Sequence, residues 1–157
     1  MLRLLRSVSA VPGEGSVEVG RWLLRRSLQL RHVDAGSCNG CESEIAAILN
    51  PVYDAQRYGV DIVASPRHAD VLTVSGPVTR QMAEALRRTA DAVGEPRLVV
   101  AVGDCASGQC PFRGSYASGE GVDAVLPVDL HIRGCPPTPE EILRGLRALM
   151  EGDARNS

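Results

Sequence analysis

Cysteines are the residues of this 157-residue chain whose type and spacing most clearly suggest chemistry. One C-x-x-C pair, Cys38 and Cys41, is followed by three single residues, Cys105, Cys110 and Cys135. Because the number is odd and no apolar export leader is recognisable, the cysteines suggest a metal or catalytic role rather than a disulfide framework. Four thiolates can bind either zinc or an iron–sulfur cluster.

The spacing of these cysteines favours a cluster over zinc. Structural zinc sites usually combine two close pairs of ligands, whereas this chain has one close pair and single cysteines far along the sequence. A lone C-x-x-C is also typical of a thioredoxin-like redox pair, which is the competing interpretation. Cys110 is interpreted as a spare thiol, with a fifth ligand or a disulfide partner of Cys105 as the alternatives.

The elements that must position the cysteines follow from the apolar pattern of the chain. Short apolar runs predict strands within residues 32–35, 60–63, 70–74, 97–102 and 126–132. Helical spacing and end signals predict helices over residues 42–49, from Thr79 to Gly94, and from Thr138 onward. This alternation predicts an α/β fold, a parallel sheet with helices on both faces.

Such a sheet would bring the cysteines together at one edge. The C-x-x-C pair, Cys105 and Cys135 each follow a predicted strand, in a loop expected to lead into a helix. Since parallel strands all end at the same edge, thiols that are distant in sequence can converge there. The flanking glycines suit loops that wrap an inorganic core and direct N–H groups toward its sulfurs: Gly36, Gly40, Gly103 and Gly134.

Composition and charge narrow the range of partners. Aromatic residues make up 3% of the chain and the formal net charge is -2, which together argue against a nucleic-acid partner. Residues 1–32 carry six arginines and two acids. Residues 1–30 are therefore predicted to form a basic arm for docking on a partner or an anionic membrane, with a solvated terminus as the alternative. Residues 31–151 are assigned to the cluster-binding domain and 152–157 to a tail.

Several motifs resemble one known family. Residues 34–44, DAGSCNGCESE, resemble the proximal-cluster motif of [NiFe] hydrogenase small subunits, in particular the formate-hydrogenlyase and membrane-bound energy-converting type. Residues 65–72, 76–79, 103–106 and 134–137 match the same family in order. The resemblance covers roughly residues 30–150 and extends to the homologous 20 kDa (B) subunit of complex I, the NADH–quinone oxidoreductase.

The resemblance implies a flavodoxin-like fold that carries one [4Fe–4S] cluster at the carboxyl edge of its strands. The implied ligands are Cys38, Cys41, Cys105 and Cys135. The cluster would pass electrons between a [NiFe] hydrogenase-like large subunit and further iron–sulfur subunits, while the hydrogen chemistry belongs to the large subunit. The two residues between Cys38 and Cys41 favour the hydrogenase side, because the complex I subunit typically has adjacent cysteines. A complex I-like module with a quinone site remains the alternative.

The same resemblance implies partners and further roles. The partners are a hydrogenase-like large subunit, a ferredoxin-like iron–sulfur subunit and integral membrane subunits, so the chain is expected on the cytoplasmic, inner face of the cell membrane. Glu44 is interpreted as a proton relay or, equally, as a solvated helix acid. Arg67 is expected near the cluster and the partner subunit, and the alternative interpretation is an ordinary surface arginine. Gly40 and Gly103 are expected beside the cluster. Gln109-Cys110 replaces the family's paired glycines and puts the shape of that loop in doubt.

Overall fold

The computed structural model describes residues 27–151, in which five parallel strands form one sheet in the order β2-β1-β3-β4-β5. The strands are β1 (Leu28–Asp34), β2 (Val60–Ile62), β3 (Val71–Ser75), β4 (Leu98–Val102) and β5 (Leu130–Ile132). The α-helices are α1 (Gly40–Ala47), α2 (Arg80–Ala92) and α3 (Pro139–Glu151). This strand order is that of flavodoxin-like folds, so the predicted fold class is confirmed.

Apolar side chains pack on both faces of the sheet. On one face, Leu28 and Leu30 of β1 lie in a core with Ile45 of α1 and Leu146 of α3. On the other, the core includes Val74 of β3 and the buried residues of α2. Strands buried on both faces read as apolar runs, which explains why β4 is continuously apolar; β3 is also fully buried although it contains Thr73 and Ser75.

The first strand begins earlier than its sequence pattern predicts. β1 starts at Leu28, not at residue 32, and both Leu28 and Leu30 are buried. Of the predicted basic arm, residues 1–30, residues 1–26 lie outside the described residues. Residues 28–30 belong to β1. The predicted tail, residues 152–157, also lies outside them.

The connection between β4 and β5 corrects one prediction. The loop after β4 was expected to lead into a helix, but residues 103–129 contain only a short 3-10 helix, Val122–Ala124. Five glycines and two prolines interrupt this segment, and both residue types disfavour a helix interior. Ala106 and Leu126 nevertheless anchor the connection in the core on the α2 face.

The last helix begins as its sequence predicts. Thr138 Oγ1 accepts a hydrogen bond from the Glu141 amide at 3.3 Å, and Glu141 Oε2 accepts one from the Thr138 amide at 2.8 Å. This reciprocal pair is a capping box, which satisfies two donors that the helix cannot pair internally. The capping box places the start of α3 directly after the loop that carries Cys135. Among residues 27–151, no helix is long and apolar enough to cross a membrane.

Candidate metal centre

The four cysteines implied as ligands lie in loops at the carboxyl edge of the sheet. Cys38 precedes α1 and Cys41 lies in its first turn, after the end of β1. Cys105 follows β4, and Cys135 follows β5. Because β1, β4 and β5 are parallel, the three loops emerge at the same edge.

Backbone contacts bind the second and third loops to each other. The Gly103 amide donates to the Ile132 carbonyl at 2.7 Å, and the Asp104 amide donates to the Gly134 carbonyl at 2.9 Å. In return, Asp104 Oδ1 accepts a hydrogen bond from the Gly134 amide at 2.9 Å. These bonds flank Cys105 and Cys135 and hold the two loops in a fixed relation.

Two glycines let the first loop approach the others. A Cβ atom added to Gly103 would lie 2.6 Å from Cys41 Sγ, so the thiol occupies the space that a side chain would need. A Cβ atom added to Gly40 would lie 3.6 Å from Cys38 Sγ and 3.8 Å from Pro136, the residue after Cys135. Glycines thus line both contacts between the first loop and its neighbours.

The thiols influence one another electrostatically. Burial, aided by the charges of Glu42, Cys38 and Cys135, raises the pKa of Cys41 to about 11. Burial, a hydrogen bond with Cys110 and nearby thiols raise the pKa of Cys105 to about 12. Ionising several thiols in so small a space is unfavourable unless cations offset their charge, and iron or another metal would supply those cations.

Four thiols are a donor set that either a single zinc ion or an iron–sulfur cluster can take. Within residues 27–151, no three His, Cys, Asp or Glu side chains are grouped closely enough to hold one metal ion. Two thiolates on one tetrahedral zinc lie about 3.8 Å apart, from Zn–S bonds of about 2.3 Å. In a [4Fe–4S] cluster each of four cysteines binds a different iron, so the sulfurs stand farther apart.

The other predicted site residues lie in two places. Glu44 is half-buried in α1, three residues after Cys41. Arg67 lies in the turn before β3 and lines a groove with residues 91–94, which precede β4. Both segments lie at the amino ends of strands, so the structure does not bring Arg67 together with the cysteines.

Cys110 is half-buried and hydrogen-bonded to Cys105, and no disulfide joins them.

A buried polar network beside Cys41 was missed by the sequence reasoning. Glu42 Oε2 accepts a hydrogen bond from Ser37 Oγ at 2.6 Å, and Glu42 Oε1 accepts one from Ser75 Oγ. The same oxygen lies 3.4 Å from His32 Nε2, while His32 Nδ1 lies 3.3 Å from Thr73 Oγ1. The available signal was the alternation of β1 and β3, which turns residues 32, 73 and 75 toward α1.

The network also shifts the acidity of its members. Burial lowers the pKa of His32 below its ordinary value, although the charge of Glu42 opposes the shift. Burial would raise the pKa of Glu42, but hydrogen bonds from Ser37 and Ser75 outweigh it and lower that pKa. The backbone amides of Ser37 and Gly36 lower the pKa of Asp34, whose carboxylate braces the start of the first cysteine loop.

The strand order and the thiol-bearing loops together define a flavodoxin-like protein with a candidate metal centre at the carboxyl edge. A family model described as "NADH ubiquinone oxidoreductase, 20 Kd subunit" matches residues 38–149. The chain belongs to this family. The membership confirms both the predicted resemblance and the prediction that the chain is an oxidoreductase subunit.

Curated relatives include hydrogenase subunits. The chain is 46% identical to the probable membrane-bound hydrogenase subunit mbhJ of Pyrococcus furiosus over 126 residues, which cover 80% of this chain and 75% of the relative. It is 43% identical to formate hydrogenlyase subunit 7 of Escherichia coli over 122 residues, which cover 78% of this chain and 48% of the relative.

Solved structures show the same fold. A chain of the membrane-bound sulfane sulfur reductase, an archaeal respiratory membrane complex, superposes with a TM-score of 0.74 at 28% identity, covering 88% of this chain and 77% of that one. A chain of an NAD+-reducing [NiFe]-hydrogenase superposes with a TM-score of 0.59 at 22% identity, covering 81% of this chain and 93% of that one. The second likeness shows the fold alone.

Proposed function

We propose that the chain is the electron-transfer subunit of a multi-subunit redox complex and carries one proximal [4Fe–4S] cluster. The proposed ligands are Cys38, Cys41, Cys105 and Cys135. The observation that carries this proposal is the contact between the loops: Cys41 Sγ fills the space beside Gly103, two residues before Cys105, and Gly40 lies against Pro136, the residue after Cys135. Three distant segments of the chain thus present thiols at one edge of the sheet.

A bound cluster would accept and release one electron at a time, while the protein holds it and limits its exposure to water. Asp104 and Gly134 join the two loops with the single cysteines and keep Cys105 and Cys135 in register. The small residues Gly40 and Gly103 would let the loops close around the inorganic core. Backbone N–H groups in such loops can donate to cluster sulfurs and influence the reduction potential.

Relatives support a place in a membrane-associated complex. Names of curated relatives and of a superposed structure refer to a membrane-bound hydrogenase, a formate hydrogenlyase and a respiratory membrane complex. By analogy the partners of this chain are a hydrogenase-like large subunit, a ferredoxin-like iron–sulfur subunit and integral membrane subunits. The chain would then sit peripherally on the cytoplasmic face of the membrane, and hydrogen and proton chemistry would take place in the large subunit, with Glu44 as a proton relay.

The second candidate is a complex I-like module in which the cluster lies beside a quinone site. The description of the matching family model, which names ubiquinone, favours it. The sequence of the large subunit that co-purifies with the tagged chain separates the two candidates. Paired C-x-x-C motifs at both ends of that subunit would indicate nickel, and their absence would indicate a quinone or another acceptor.

Metal and sulfide analysis tests the cluster itself. The chain purified anaerobically in its complex should contain about four irons and four acid-labile sulfides attributable to it. Cys105→Ser and Cys135→Ser should each remove this iron together with its visible absorption. Stoichiometric zinc without sulfide, or full iron content in both variants, would contradict the proposal.

A further inference from the structure

Glu42 directs a carboxylate inward although it lies in the first turn of a short helix. Its side chain is only 19% exposed. Three side chains face it: Ser37 from the loop before Cys38, Ser75 from the end of β3, and His32 from β1. A solvated helix acid has no need of such partners, so the carboxylate is built into the structure.

The charge of this carboxylate is not balanced by a fixed cation. Two of its partners are neutral hydroxyl groups, which stabilise a negative charge without cancelling it. In the part of the chain that the structure describes, the only basic side chain within 4.0 Å of it is His32. Burial favours the neutral imidazole. A net negative charge therefore remains at this position.

The position lies directly beside the candidate cluster. Glu42 follows Cys41 in sequence, and its hydrogen-bond donor Ser37 precedes Cys38. The carboxylate thus reaches back across the loop that holds both cysteines. Because the Glu42 side chain is only 19% exposed, its interaction with a charge on the adjacent centre is screened less than an interaction between two fully exposed charges.

We propose that the partly buried carboxylate of Glu42 lowers the reduction potential of the cluster bound through Cys38 and Cys41. Reduction adds one negative charge to the cluster, and a nearby negative charge destabilises the reduced form more than the oxidised form. Glu42 acts through its electric field and does not bind iron. This inference rests on the proposed function, since it requires the cluster to be present.

The hydroxyl groups of Ser37 and Ser75 have the opposite influence. Each points the positive end of its O–H dipole at the carboxylate and so offsets part of its charge. Loss of a hydroxyl should expose the cluster to more of the negative field. The network therefore predicts shifts of opposite sign for removal of the acid and removal of one of its donors.

The experiment compares variants of the whole complex, purified anaerobically through a tag on this chain. Iron and sulfide are measured first, and the midpoint potential of the cluster is then obtained at one pH by redox titration followed with electron paramagnetic resonance. Glu42→Gln removes the charge but keeps the shape, and Glu42→Asp keeps the charge but shortens the side chain. Glu140→Gln is the matched control, because Glu140 lies in the first turn of α3 and is exposed.

The expected pattern is specific to an electrostatic role. Glu42→Gln should raise the midpoint potential, Glu42→Asp should stay close to the unaltered complex, and Glu140→Gln should not shift it. If the role of Glu42 were purely structural, the shorter side chain of Glu42→Asp would shift the midpoint potential more than the isosteric Glu42→Gln does. An unshifted potential in Glu42→Gln, or an equal shift in Glu42→Asp, would overturn the inference.

Ser75→Ala keeps the test decisive if Glu42→Gln does not retain its cluster. Ser75 is fully buried and its loss leaves the carboxylate in place, so the midpoint potential should fall. An unchanged or raised potential would overturn the inference. Failure of the proposed function has a different signature, because the unaltered complex would then lack iron and sulfide attributable to this chain.

Discussion

At the scale of single residues, Gly103 is a position where the candidate centre tolerates little change. Its φ of 93° lies in the region that favours glycine, and an added Cβ would lie 2.6 Å from Cys41 Sγ. Gly103→Ala should cost about 1–3 kcal/mol in backbone strain alone. It should also displace the Cys41 thiol and reduce the iron bound per chain, measured by metal analysis of the purified complex.

Gly94→Ala is the control for this prediction. Gly94 follows α2 at the other edge of the sheet, and nothing lies within 4 Å of an added Cβ. The same substitution there should leave the iron content unchanged. Equal iron in Gly103→Ala and Gly94→Ala would show that the contact with Cys41 does not matter for metal binding.

The sequence predicts the cysteine loops more readily than the side chains around them. Cysteine is rare and reactive, so four thiols after predicted strands lead directly to a shared site. The network around Glu42 depends on the register that pairs His32 with Thr73 across β1 and β3, and a register of distant strands cannot be read from one sequence. Arg67 shows the same limit: its motif suggested a place near the cluster, whereas the topology puts it at the opposite edge of the sheet.

At the scale of elements, α3 contributes much of the apolar contact on its face of the sheet. Leu146 is fully buried in a core that also contains Leu130 and Ile132 of β5. Leu146→Ala should lower the free energy of unfolding by about 2–5 kcal/mol, because it removes buried methyl groups and leaves a cavity. Urea denaturation followed by circular dichroism measures this change.

Leu49→Ala provides the comparison for the core substitution. Leu49 follows α1 and is 43% exposed, so its truncation creates no buried cavity. It should change the free energy of unfolding far less than Leu146→Ala does. Similar losses at the two leucines would mean that α3 is not held by burial of its apolar face.

The predicted elements differ from the observed ones where the apolar pattern of the sequence does not match the burial of the residues in the fold. The predictions for β3 and β4 lie within one residue of their observed starts, because apolar residues dominate a strand that is buried on both faces. β1 was predicted to start four residues late, since Gln29 and Arg31 interrupt its apolar pattern and only its alternate residues reach the core. The loop after β4 was expected to lead into a helix, but the glycines and prolines of the β4–β5 connection leave only a short 3-10 helix there.

At the scale of the whole molecule, stability should depend on pH in two separate steps. The pKa of His32 is lowered in the folded chain, so the unfolded chain binds a proton more readily. Stability is then greatest above the ordinary His pKa of 6.5 and falls as the pH drops from there through the folded value. The lowered carboxyl pKa values of Glu42 and Asp34 produce a second loss, which begins below about 4.5.

Chemical denaturation of the purified chain at a series of pH values between about 7.5 and 3 measures both steps. The free energy of unfolding should decline first as the pH falls below about 6.5 and again below about 4.5. His32→Gln removes the titrating ring, so it should abolish the upper step and leave the lower one in place. A pH profile that stays flat from 7.5 to 5, or an upper step that persists in His32→Gln, would show that burial of His32 beside Glu42 does not govern stability in this range.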